Sequence, residues 1–210
     1  WPKSWAQAYV EQSAERVFHW LRDKGMRFMP AVNWVERGNY VPGNSVPRYH
    51  IMWGTGQGLV ERFVDLLAAH PHTGKLRYVF GCRVNDLIEE GRRIAGCRGE
   101  IEATGEQCEF YGDQVIVATG GINGNLQKVR DNWYWGMPPA DLLNGSHPFC
   151  DGYMHDVVEG KGGVVTHLRN MWNYAAGIPH PFPQFDGHGL SLIPCKSALW
   201  LDHSGKRIGP

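Results

Sequence analysis

Apolar residues near the start of the chain recur at helical spacing. Trp5, Tyr9, Val10, Val17, Phe18 and Leu21 predict an amphipathic helix. Ser4, with Gln7 three positions on, fits a capping box at its start, and Gly25 closes it. Residues 29–46 are rich in Pro, Gly, Asn and aromatics without a period, and read as an ordered loop. A short apolar stretch at 49–53 leads through Gly54, Gly56 and Gly58 into a second amphipathic helix carrying Leu59, Val60, Phe63, Val64 and Leu67. From residue 76 the period shortens. Residues 76–80, 84–89, 94–102 and 107–111 read as strands, with turns around Glu90-Gly91 and Thr104-Gly105-Glu106. Residues 113–118 differ: Val115-Ile116-Val117-Ala118 runs without a polar break into Thr119-Gly120-Gly121, as in a strand buried on both faces of a parallel sheet. Beyond lie Gly/Asn-rich turns, a helix over 152–159, and short strands near Val164, at 190–193 and at 198–202.

Helix, strand, a three-strand meander and then a buried parallel strand make an α/β fold class. Composition narrows the function. The 210 residues hold 21 basic and 21 acidic side chains, so the zero net charge gives no reason to expect nucleic acid or an anionic membrane as partner. No apolar run approaches the roughly 20 residues that span a bilayer. The 5 cysteines (Cys82, Cys97, Cys108, Cys150, Cys195) are spread out without C-x-x-C, and reduced thiols in a cytoplasmic protein are the simpler expectation. Nine Trp and 27 Gly suggest aromatic-lined cavities and close backbone approach to a ligand. The chain opens at Trp1 and reads as continuing structure at Pro210, as an excised piece would.

Residues 114–121 carry the most information. A buried strand ending in small residues brings main chain to the carboxyl edge of a sheet, where α/β folds bind nucleotides, although an ordinary strand with a glycine turn gives the same pattern. Gly54-Thr55-Gly56-Gln57-Gly58 does not complete a dinucleotide fingerprint, because position 59 is Leu where the third glycine would stand. Such a turn can approach a ring or an anion, or can simply join strand to helix. Asp151 reads as an N-cap of the 152–159 helix. The 10 histidines, including His70-Pro71-His72, offer no ligand set of plausible geometry, so no metal is expected. A G-x-S-x-G elbow is absent.

Taken in order, these motifs resemble the fumarate reductase/succinate dehydrogenase flavoprotein family, in its branch of FAD-binding dehydrogenases that includes the 3-ketosteroid dehydrogenases. Trp53-Gly54-Thr55-Gly56-Gln57-Gly58-Leu59-Val60 is similar to that family's glycine-rich turn facing the flavin. Gly81-Cys82-Arg83-Val84 resembles the segment whose valine backbone meets the adenine. Ala118-Thr119-Gly120-Gly121 is similar to its A-T-G-G, which lies along the adenosine and pyrophosphate. Cys150-Asp151-Gly152 resembles its T-G-D-G turn, with Cys in the place of the residue before the Asp that contacts FAD. Residues 202–207 are similar to the run N-x-x-G-x-R-F of its cap domain.

The resemblance implies a partial Rossmann-like FAD-binding domain over 1–150, with an inserted meander at about 76–112 and the A-T-G-G strand at 113–121. An incomplete α+β substrate-capping domain would occupy 151–210. It implies cofactor-binding roles for Gly56, Val84, Ala118, Thr119, Gly120, Gly121 and Asp151, with FAD as cofactor and a small molecule and an electron acceptor as partners. The family's G-x-G-x-x-G strand would precede Trp1, and its proton-donating arginine would follow Pro210. Met171-Trp172-Asn173-Tyr174 is followed by Ala175-Ala176 where the dicarboxylate enzymes carry a substrate histidine. Alanine cannot hydrogen-bond a carboxylate, so a bulkier, less charged substrate is expected, desaturated or reduced at a carbon–carbon bond beside a carbonyl. The catalytic base is left open, with Tyr49 and His50 as the local candidates. An inert domain without cofactor is the alternative, and a nicotinamide enzyme is disfavoured for want of a full fingerprint. Exposed apolar patches would favour self-association.

Overall fold

The computed structural model describes residues 2–30, 50–174, 177–192 and 201–208. The chain divides into two compact units, residues 1–78 with 195–210 and residues 79–194.

The first unit opens with α1 (Pro2–Ser13), which runs through a π-helical segment (Ala14–His19) into α2 (Trp20–Asp23). Ser4 lies inside the first turn, and Gln7 donates to Glu11 at 2.9 Å rather than reaching back. The capping box is therefore not formed, because the helix starts before its intended cap. Gly25 ends the helix as expected, at φ +86°. β1 (Phe28–Pro30) and β2 (His50–Met52) pair antiparallel, Met29 opposite Ile51. Phe18 packs on Phe28 and His50, with ring centroids 5.3 and 5.2 Å away. Gly54, left-handed at φ +87°, turns the chain into α3 (Thr55–Ala68), whose Phe63 stacks on Trp20. Arg62 Nε donates to the Lys24 carbonyl at 2.5 Å, tying α3 to the end of α2. In the same unit Asp202 organises a hairpin turn. Its carboxylate accepts from the Ser204 hydroxyl and from the Ser204 and Lys206 amides, which holds it below its ordinary pKa.

The second unit is built on a meander of β3 (Cys82–Glu90), β4 (Arg93–Ile101) and β5 (Gln107–Tyr111), antiparallel in that order. Register shifts between Val84 and Asp86 and between Ile88 and Glu89 bend β3. Leu87, Ile88 and Ala95 are buried in the sheet, and Ile122, Val129 and Met154 complete the core with α4 (Leu126–Asp131) and α5 (Tyr153–Gly160). Asn125 caps α4 by accepting from the Lys128 amide at 3.0 Å. β6 (Gly177–Pro179) and β7 (Gly189–Ser191) form a small hairpin. The expected boundary at 150/151 falls inside this unit, where Lys128 reaches across it to the Gly152 carbonyl.

Three strand expectations are corrected. Residues 76–80 and 113–118 form no strand, and Ile116 is 88% exposed where burial on both faces was expected. Among the described residues no strand lies alongside either run to complete its backbone pairing. Val164 is likewise outside any strand and exposed. The loop expected over 29–46 and the strand expected over 198–202 lie largely outside the described residues.

The 180–188 loop carries a pH-dependent contact. His180 and His188 stack with centroids 4.1 Å apart, and His188 Nδ1 accepts from the Gln184 amide at 3.2 Å. Burial, and then the like charge of His180, lower the His188 pKa below 6.5. The unfolded chain therefore takes up its proton at a higher pH than the folded loop does. The contribution to stability is complete above about 6.5 and is lost as pH falls through the folded value. Amide exchange of Gln184, corrected for intrinsic rates, is expected to quicken from pH 7.5 to pH 5.

Candidate functional site

Within the second unit, three separated sequence motifs converge on the start of α5. The turn before the helix is shaped by Gly152, left-handed at φ +72°, and Asp151 accepts from the Tyr153 amide at 2.9 Å. The N-cap position is taken by Gly152, which has no side chain to cap with, so the N-cap reading of Asp151 is corrected: it stands one residue earlier and its carboxylate bonds the first helical amide. The Tyr153 hydroxyl donates to the Asn85 carbonyl at 3.2 Å, which ties the helix to β3 one residue after Val84. Val84 is half-buried and faces Gly99 at the edge of the bulge.

The 118–121 segment reaches the same place from the other side. Gly120 is left-handed at φ +84°, and a Cβ built on it would stand 2.7 Å from Cys150 Sγ. Its carbonyl accepts from His155 Nε2 at 3.1 Å, and since a carbonyl only accepts, the proton sits on Nε2. His155 Nδ1 is buried without a hydrogen-bond partner among the described residues. The Gly124 amide donates to the Cys150 carbonyl at 2.8 Å, holding the two loops together. A Cβ on Gly121, by contrast, would meet nothing within 4 Å. Residues 118–121 are exposed, so their backbone is free to approach a ligand.

Electrostatics at the turn are set by Lys128. Its ammonium, largely covered, donates to the Gly152 carbonyl at 2.7 Å and to Asp156 at 2.6 Å. Beside Tyr153, a cleft of about 600 Å³ runs between β3–β4 and α5, where Asp86 pairs with Arg98 at 3.2 Å and Lys161 at 3.7 Å.

Of the residues singled out from the sequence, Val84, Ala118, Thr119, Gly120, Gly121 and Asp151 belong to this unit. Gly56 belongs to the first unit, in the opening turn of α3, where a Cβ would also meet open space. His50 packs against Phe18 in the first unit, while Tyr49, Ala175 and Ala176 lie outside the described residues. Lys128, Tyr153 and His155 were missed. Their roles depend on contacts 24, 68 and 35 positions away, which no local pattern announces.

Among the described residues no helix is long and apolar enough to cross a membrane, and no group of three His, Cys, Asp or Glu could hold a metal ion. The glycine backbone exposed at Gly121, beside the turn of Asp151, is chemically suited to a nucleotide cofactor: main-chain groups for the phosphates and ribose, with room for close approach.

Comparison with known proteins agrees with this chemistry. A KsdD-like steroid dehydrogenase of Mycobacterium tuberculosis is 39% identical over 226 aligned positions, covering 99% of this chain and 39% of that protein. A KsdD-like steroid dehydrogenase of Mycolicibacterium smegmatis is 39% identical over 227 positions, covering 99% of this chain and 41% of its own length. An NADH:acrylate oxidoreductase of Vibrio harveyi is 22% identical over 96% of this chain and 19% of that protein. The chain thus spans 39–41% of the length of the two steroid dehydrogenases. No solved structure matches it. The family model for the FAD binding domain matches residues 2–209, and the chain belongs to that FAD-binding family.

Proposed function

We propose that this chain is part of an FAD-dependent dehydrogenase that acts on a carbon–carbon bond beside a carbonyl in a bulky, steroid-like substrate. In this reading the second unit holds the adenosine half of the cofactor. The observation that carries it is the meeting of residues 118–121 with the Asp151 turn, where Gly120 is fixed against Cys150 and Gly121 stays open. Val84 backbone would border the adenine, Ala118 to Gly121 would run beside the ribose and phosphates, and Asp151 would approach from the helix start. The names of the mycobacterial relatives support the steroid-like substrate. A bulkier, less charged substrate also agrees with Ala175 and Ala176 in the sequence.

When bound, FAD supplies the hydride-accepting chemistry. The chain's own contribution is positional. His155 holds the Gly120 carbonyl, Lys128 holds that of Gly152, and Tyr153 holds that of Asn85. Two loop carbonyls and one of β3 are thus tied to two short helices, which keeps the surrounding backbone in place before a ligand arrives and lowers the ordering cost of binding. Gly56, at the start of α3, is proposed as a second point of backbone approach to the cofactor.

Titrating the purified chain with FAD and following quenching of flavin fluorescence tests the reading. Saturable binding is expected, and Asp151→Asn, which keeps the amide-capping oxygen and removes the charge, is expected to change affinity without unfolding α5. A chain that folds and leaves flavin fluorescence unchanged at all concentrations would instead support an inert structural domain.

A further inference from the structure

The meander carries three of the cysteines, Cys82 on β3, Cys97 on β4 and Cys108 on β5. β3 and β5 do not pair with each other, since β4 lies between them. In a flat sheet two such strands lie roughly 9.6 Å apart, beyond the reach of a cysteine pair. Yet Cys82 Sγ and Cys108 Sγ stand 2.8 Å apart.

The cause is in β4. Gly99 lies opposite Val84 on one side and Cys108 on the other. A Cβ at Gly99 would run into the Arg83 carbonyl of β3, and one at Gly96 into the Phe110 carbonyl of β5. With neither side chain present, the backbones of both outer strands approach β4 closely. Cys82 and Cys108 are both half-buried, so small reagents can reach them. Their separation exceeds a disulfide bond of about 2.05 Å by less than an ångström, which a small side-chain rotation closes.

We propose that Cys82 and Cys108 form a thiol modification site, oxidised to an intramolecular disulfide by low-molecular-weight disulfides of the glutathione class. The thiolate of one cysteine attacks a sulfur of the reagent, forming a mixed disulfide and releasing one reduced thiol. The second cysteine, as thiolate, then attacks the protein-side sulfur and expels the other reduced thiol. The two protein thiols lose two protons and two electrons, and the reagent disulfide takes up both electrons. The product staples β3 to β5 across β4. This site stands on the sheet geometry and does not depend on the flavin reading.

The hydrogen bond with Cys108, followed by burial, pushes the Cys82 thiol up to about 11. Little Cys82 thiolate exists near neutrality, so attack through Cys82 is slow there and the rate of that route should rise about tenfold per pH unit in the alkaline range below that value.

The test incubates the purified chain with oxidised glutathione at pH 8.5, blocks remaining thiols with N-ethylmaleimide, and maps the peptides by mass spectrometry. The expected product is a Cys82–Cys108 cross-linked peptide, a chain mass lower by two hydrogens before blocking, N-ethylmaleimide on Cys97, Cys150 and Cys195, and full reversal of the cross-link by dithiothreitol. Cys82→Ser and Cys108→Ser should each abolish the cross-link, and mapping of the unsubstituted chain decides should either variant misfold. Complete blocking of both thiols after oxidation, a persistent glutathione adduct on either, or linkage of either to another cysteine would overturn the proposal.

Discussion

Gly99→Val is expected to destabilise the second unit by about 3 kcal/mol, among the larger effects of a single substitution. The backbone of Gly99 has no positive φ, so the cost is steric. A Cβ there would strike the Arg83 carbonyl group and come within 2.8 Å of the Val84 Cα, and main chain cannot rotate aside as a long side chain can. Accommodation requires β3 to lift from β4, breaking ladder hydrogen bonds on both sides of the Val84–Gly99 pair. Gly105→Ala makes the informative contrast. Gly105 has φ +71° and open space around it, so its substitution costs only the conformational strain of about 1 kcal/mol. Urea unfolding should show the Gly99 variant with its midpoint lowered by more than about 1 M and its slope unchanged. Equal midpoints for the two variants would mean that β3 does not press on β4.

That close approach shows where sequence reading stops. The pattern at 84–89, 94–102 and 107–111 was enough to place the meander: in β5 half-buried and exposed residues alternate, while β3 and β4 bury neighbouring residues and β3 carries register shifts. The 3.6 period likewise placed the helix around 59–67 and the one following Asp151. Glycine inside a strand signals close backbone approach in general, but nothing in the neighbouring residues says which backbone comes near. The runs at 76–80 and 113–118 failed for a different reason. Their apolar pattern records a propensity to be buried in a sheet, whereas a strand also needs a partner on at least one side, and none is present among the described residues. The site was legible as a set of motifs, Val84, Ala118 to Gly121 and Asp151. Its supports, Lys128, Tyr153 and His155, were not, because each acts through a hydrogen bond to a carbonyl distant in the sequence.

Gly121→Val and Gly120→Val are expected to weaken FAD binding for different reasons, and the difference tests the proposed site. At Gly121 an added side chain meets nothing in the protein, so stability should stay within about 0.5 kcal/mol of the parent. Affinity should nevertheless fall by roughly 30-fold or about 2 kcal/mol, because the side chain occupies the space through which the cofactor would approach the backbone. At Gly120 the substituent faces Cys150 Sγ, 2.7 Å away, on a backbone at φ +84°. Here the left-handed conformation alone costs about 1–2 kcal/mol in a non-glycine residue, so stability and affinity should fall together. Adding Cys150→Ala to Gly120→Ala removes the steric part and leaves the conformational part, so only partial recovery is expected. Fluorescence titration with FAD and urea unfolding of the same preparations separate the two quantities. Unchanged affinity in the Gly121 variant would move the cofactor away from residues 118–121, while leaving the family assignment in place.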